Sequence, residues 1–142
     1  EQVFDQNIGD IFVARVAGNF ENTDILGSLE YSCAVAGSKL VLVLGHESCG
    51  AVKAACDGVE LGNITALLSN IMPAVKKSTT EIDGEANSSN KDFVAKTVEN
   101  NVLLTIKRIR EKSSILAEME DSDEIKIVGG VYSLQTGKVH ML

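Results

Sequence analysis

The feature that most limits the fold is the stretch from Lys39 to Ala55, KLVLVLGHESCGAVKAA, where five apolar residues run into a glycine and then into a helix start. The unbroken run Leu40 to Leu44, with β-branched Val41 and Val43 and closed by Gly45, predicts a strand covered on both faces, as in parallel sheets flanked by helices. His46 then stands at the carboxyl end of the strand, and Cys49 at the start of a helix beginning near Gly50. In open α/β sheets ligands gather outside the carboxyl ends of strands, where the following helix also aims its N-terminal amides. That placement biases Cys49 toward thiolate, the form that binds metal. A His-x-x-Cys spacing at such a turn lets an imidazole and a thiolate converge on one tetrahedral zinc. The same spacing also suits a satisfied histidine beside a packed cysteine.

The rest of the chain alternates in the α/β manner. Asp10 to Val16 is expected as a strand, its IFVARV portion apolar except for Arg15, broken by Ala17, Gly18 and Asn19. Thr23 or Asp24 can cap a helix running to about Ala36, ended by Gly37. From Asn63 to Lys77, Ile64, Leu67, Leu68, Ile71 and Val75 fall at helical spacing, with Pro73 placed to kink or divide the helix. Thr79 to Asn90 is polar and holds Gly84 and paired serines, which predicts an exposed loop. Lys91 to Lys112 is expected as a long amphipathic helix carrying Val94, Val98, Val102, Ile106 and Ile109 on one stripe. Its Lys107, Arg108, Arg110 and Lys112 form a solvated group complementing the helix dipole. Ile125 to Tyr132 predicts a further strand, turned by Gln135, Thr136 and Gly137 into a short hairpin ending at Leu142. Together these predict one α/β domain over residues 1–142, with a mixed, mostly parallel central sheet and helices on both faces.

Composition agrees with that reading and excludes some partners. At 142 residues and 44% hydrophobic, the chain can bury a single core. A formal charge of −7 argues against nucleic acid and anionic membranes, because phosphate backbones call for basic patches. The longest apolar run is too short to span a bilayer, and no basic segment followed by an apolar one opens the chain, although a targeting segment upstream is left open. Three cysteines without scaffold spacing point to a reducing compartment, with the cytoplasm as the expected location.

GHESCGAVKAA (Gly45 to Ala55) resembles the second zinc motif of the β-class carbonic anhydrases. VFDQNIGDIFVARVAGN (Val3 to Asn19) is similar to the segment that follows that family's first zinc motif. NVLLTIKRIREKSSILAEM (Asn101 to Met119) and IKIVGGVYSLQTGKV (Ile125 to Val139) resemble its late helices and closing strands. The four blocks agree in order and spacing, so the resemblance runs nearly end to end. It implies the β-carbonic anhydrase fold, an intimate homodimer or higher homo-oligomer, and zinc-dependent reversible hydration of carbon dioxide to bicarbonate and a proton. By the same resemblance His46 and Cys49 are two of three protein ligands to Zn2+, whose open fourth position makes hydroxide available near neutral pH. Glu47 and Ser48, between the ligands, are expected to support them or face solvent, Gly50 to serve the tight helix start, and His140 to lie on the surface. Arg15 and Tyr132 match positions that hold an inhibitory bicarbonate in some bacterial members, although a strand arginine can equally pair with a carboxylate across a dimer. A nucleotide-binding protein is disfavoured, since GHESCG lacks the glycine pattern of a phosphate loop.

The family's first motif, Cys-x-Asp-Ser-Arg, supplies the third ligand and an Asp–Arg dyad, and it does not occur in this chain. Cys56 cannot replace that ligand: it follows Cys49 by two helical turns, roughly 10 Å along the axis, whereas two thiolates on one zinc lie within about 4 to 5 Å. Cys33, in the apolar-patterned stretch Ile25 to Ala36, is expected as a buried structural cysteine and is the weaker candidate for the role. Opening on Glu1 directly before Gln2, Val3 and Phe4, the chain resembles an N-terminally truncated carbonic anhydrase that lacks a central strand and is inactive alone. The alternative is a noncatalytic, carbonic anhydrase-like dimerisation or zinc-binding module. On either reading, the stripe from Val94 to Ile109 and the segment Ile11 to Val16 are expected to be shared with a partner or partly exposed.

Overall fold

Two strands far apart in sequence form the centre of the molecule, a computed structural model describing all of residues 1–142. β1 (Leu40–His46) pairs in parallel with β2 (Lys126–Tyr132), from Leu40 opposite Lys126 to His46 opposite Tyr132. β3 (Val139–Met141) adds to the far side of β2 in antiparallel fashion, giving the order β1-β2-β3 and leaving β1 as a free edge. Six helices surround this sheet: α1 (Thr23–Glu30), α2 (Gly50–Cys56), α3 (Gly62–Ser69), α4 (Met72–Ser78), α5 (Lys91–Lys112) and α6 (Ser114–Asp121). None is long and apolar enough to cross a membrane.

Local chemistry accounts for the helix boundaries. Asn22, Asn90 and Ser113 cap α1, α5 and α6, each side-chain oxygen accepting from a backbone N–H three residues on. The cap of α1 is therefore Asn22 rather than Thr23 or Asp24, and beyond Glu30 the helix loosens into a π turn, Tyr31–Val35, before Gly37 reverses the chain at φ +82°. Pro73 in the first turn of α4 divides the apolar stretch into α3 and α4, as its missing N–H requires. A second helix after α5, α6, begins where Ser113 ends one helix and caps the next.

The apolar stripe of α5 joins two halves of the core. Val94 and Val98 pack with Phe20, Val52, Ile71 and Phe93, while Val102, Ile106 and Ile109 pack with Val41, Val43, Cys33 and Ile127. The stripe is thus fully used within one chain, so it is not the exposed surface expected of it. Close approach depends on a missing side chain: a Cβ on Gly129 would sit 2.7 Å from Val102 Cγ1 and 2.8 Å from Ile106 Cδ1.

Two further expectations need correction. Asp10 to Val16 forms no strand; it is an extended segment with one isolated bridge, Ile8 to Ile11, and Phe12 and Val13 are exposed. Its β-forming composition finds no backbone partner, and composition without a partner makes no ladder. β1 is also not covered on both faces. Val41 and Val43 are buried toward α5, but Leu42 and Leu44 are half-buried and Leu40 is 57% exposed.

Charge pairs tie the helices together where the sequence suggested only a solvated basic face. Glu21, 3% exposed, accepts from Arg108 Nε at 2.8 and 2.9 Å and from Lys112 Nζ at 2.8 Å, anchoring the entry of α1 to the end of α5. Arg110 makes a two-pronged pair with Glu120 (2.6 and 2.8 Å), and Glu120 also accepts from Ile127 N, so α5, α6 and β2 meet at one carboxylate. The hydrogen bond from Arg110 holds the Glu120 carboxyl below its ordinary range. A carboxyl lowered on folding adds stability above its unfolded pKa and loses it as pH falls through the folded one. Urea midpoints are therefore expected to fall on acidification below the ordinary carboxylate range, and Glu120→Gln to be less stable at neutral pH with a shallower acid loss. Parallel pH profiles for the two proteins would contradict this.

Candidate metal centre

The carboxyl end of β1 is held against α5 by another absent side chain. A Cβ on Gly45 would lie 2.8 Å from Val102 Cγ2 and 3.0 Å from Val98 Cγ1. One residue later His46 closes the strand opposite Tyr132, and Glu47 N donates to Tyr132 O at 3.0 Å, carrying the sheet one step further. The chain then turns through Ser48, whose φ of +55° lies in the left-handed region that non-glycine residues rarely adopt. Cys49 follows as the N-cap residue of α2, buried at 7% exposure, while His46 is exposed.

The protonation of His46 follows from its partner. Its Nδ1 lies 2.9 Å from the backbone carbonyl oxygen of Glu47, an atom that can only accept. In the neutral imidazole Nδ1 therefore carries the proton and Nε2 the lone pair, the arrangement of a metal-binding imidazole whose other nitrogen is tied down. The side chain of Glu47 is itself engaged, its Oε2 accepting from Ser133 Oγ at 3.0 Å and Leu134 N at 2.9 Å.

These residues open onto a groove of about 1190 Å3 that runs the length of β1. It is lined also by Phe12 to Val16 and by Ile25 and Leu29 of α1. The groove exceeds the roughly 300–1,000 Å3 of a small-ligand pocket. His46, Cys49, Arg15 and Tyr132 all line it, so the four residues singled out in the sequence share one concavity. Arg15 is exposed and forms no ion pair within the chain. Two asparagines that the sequence did not mark hold the wall in place: Asn19 Nδ2 donates to Leu44 O at 2.9 Å and Asn101 Nδ2 to Gly18 O at 2.7 Å.

The other two cysteines stand apart from this place. Cys33 is buried in the cluster with Val41 and Val43, and Cys56 lies at the other end of α2, in the buried cluster to which Cys49 also belongs. Burial pushes both thiols up. Imidazole and thiol at one strand end fit zinc in kind. They do not complete a site in number, since no group of three or more His, Cys, Asp and Glu side chains is placed to hold a metal.

The family model described as carbonic anhydrase matches residues 1–139. Among solved structures, the Coccomyxa β-carbonic anhydrase in complex with acetazolamide superposes with a TM-score of 0.83 at 28% identity, over 99% of this chain and 64% of that one. The chain belongs to the β-carbonic anhydrase family. A tetrameric β-carbonic anhydrase of Sordaria macrospora shares the fold, with a TM-score of 0.87 at 22% identity over 99% of this chain and 72% of that chain. A carbonic anhydrase of Mycolicibacterium smegmatis is 34% identical over 150 residues, covering 99% of this chain and 67% of the relative. Carbonic anhydrase 2 of Mycobacterium tuberculosis is 33% identical over 139 residues, covering 97% and 65%. This β-carbonic anhydrase chain thus spans about two thirds of the length of the curated relatives it matches.

The packing behind His46 gives a direct test. Gly45→Ala forces a methyl group into Val98 and Val102, and overpacking of this kind costs about 1–3 kcal/mol. Urea denaturation is expected to show that loss, and an unchanged midpoint would mean that β1 and α5 are not in the contact described.

Proposed function

We propose that His46 and Cys49 are two of the three protein donors to a zinc ion with which the enzyme hydrates carbon dioxide reversibly to bicarbonate and a proton. The observation that carries this reading is the placement of His46, its Nδ1 tied to the Glu47 carbonyl, and Cys49 together at the carboxyl end of β1, in a chain of this family. Zinc, when bound, supplies the Lewis acidity that makes a water nucleophilic near neutral pH. His46 would bind through Nε2 while its Nδ1–H donates to the Glu47 carbonyl, and Cys49 would bind as thiolate at the start of α2. The remaining donor comes from outside residues 1–142, since no third His, Cys, Asp or Glu side chain is gathered with these two. Apolar groove walls suit an uncharged substrate, and Arg15 and Tyr132 are the cation and hydroxyl suited to the anionic product.

Stopped-flow hydration of carbon dioxide with zinc present tests the proposal. Residues 1–142 alone are expected to run at the uncatalysed rate; the full-length enzyme is expected to be active and to lose both its zinc and its activity on Cys49→Ser. Stoichiometric zinc in that variant, or robust activity in the isolated chain, would overturn the ligand assignment.

Self-association belongs to the same proposal. Phe12, Val13, Tyr31, Val35 and Leu40 are all exposed, with the Phe12 and Tyr31 rings 6.4 Å apart, an apolar surface suited to a second copy. Sedimentation across a dilution series is expected to show dimers or larger species, and a monomer at every concentration would refute it.

A further inference from the structure

We propose that Glu47 is a positioning residue of the metal centre: its carboxylate latches the turn carrying His46 and Cys49 onto the turn after β2, and thereby holds His46 in the tautomer with Nε2 bare. The inference rests on the reading of His46 and Cys49 as metal donors.

Glu47 is fastened at both ends of its own residue. Its N–H donates to Tyr132 O at 3.0 Å, and its Oε2 accepts from Ser133 Oγ and Leu134 N at 3.0 and 2.9 Å. The receiving turn is already closed, with Ser133 N donating to Lys138 O, Gly137 N to Ser133 O, and Thr136 N to Ser133 Oγ. A carboxylate anchored to such a turn cannot swing freely. Between these two anchors lies the carbonyl that accepts from His46 Nδ1, followed at once by Ser48 in its left-handed conformation. Strained backbone of this kind persists only where its surroundings over-determine it. The latch supplies that constraint, and the His46 proton is placed as a result.

The charge of Glu47 has no part in this role. Its two donors are neutral, and no lysine or arginine pairs with it. Both bonds end on one oxygen, which a glutamine amide oxygen can replace. A proton-transferring or purely electrostatic role would be lost equally in Glu47→Gln and Glu47→Ala, whereas a latch separates the two.

The experiment compares wild type, Glu47→Gln and Glu47→Ala by nitrogen NMR of the His46 ring in the metal-free chain, well above the ordinary histidine pKa of about 6.5. Wild type and Glu47→Gln are expected to keep the proton on Nδ1, and Glu47→Ala to shift toward Nε2–H, with thermal melting confirming that all three fold. A Co2+ titration of the full-length enzyme, followed by thiolate-to-cobalt absorption, is expected to weaken about 10-fold or more in Glu47→Ala and to be largely retained in Glu47→Gln. An unchanged tautomer in folded Glu47→Ala, or equal losses in both variants, would overturn the latch. If the wild type gives no cobalt–thiolate band, the ligand reading fails instead, and the ring measurement still decides whether Glu47 fixes His46.

Discussion

Where α5 crosses β1 and β2, two glycines remove the side chains that would hold the layers apart. Gly45 and Gly129 let Val98, Val102 and Ile106 reach the backbone of the sheet, and that contact sets the height of the His46 end of β1 above the helix. Close packing leaves little tolerance there, because interiors are packed at crystal-like density and transmit displacement. The Glu21 pair with Arg108 and Lys112 and the Arg110 pair with Glu120 then fix the other end of α5 to α1, α6 and β2. Position at the candidate metal centre is inherited from this helix.

The candidate site residues share a groove that runs along β1 and reaches Val98, Asn101 and Val102 of α5. Leu42 and Leu44 look into the groove, with the unpaired segment Phe12 to Val16 opposite, and the same groove gathers His46, Cys49, Arg15 and Tyr132. Rigidity behind and openness in front is an arrangement common to sites at strand ends. Asn19 and Asn101 spend their amides on holding the loop between the two, and Asn101 Oδ1 remains buried without a partner.

Sequence patterns spoke clearly wherever the governing interaction was local or periodic. The stripe of α5 kept its limits from Lys91 to Lys112, the run Leu40 to Leu44 formed β1, and Pro73 divided the helix it interrupts. Patterns failed where a distant partner decides. Ile11 to Val16 has the composition of a strand, yet strand formation needs a second backbone, and beyond the isolated Ile8–Ile11 bridge none pairs with it. Unbroken apolarity in β1 could not say which face would be closed, since Leu42 and Val43 differ only in what faces them. Arg108, Arg110 and Lys112 resembled a solvated group because Glu21 and Glu120 are brought to them only by the fold. Glu47 was marked only by its place between His46 and Cys49, and nothing local could name its partner Ser133, 86 residues away.

That separation has a kinetic side. β1 can pair with β2 only after the chain between them, with five helices, has been gathered up, and parallel pairing across so long a loop must wait for its closure entropy to be met. Helices form within about a microsecond, so α5 is available as a template long before the sheet exists. During that interval β1 is an apolar strand with both edges bare and neither proline nor charge to blunt them. The order in which the chain assembles therefore sets how long Leu40 to Leu44 stays open to pairing with the wrong molecule, and a slow folding step becomes a source of aggregation during synthesis.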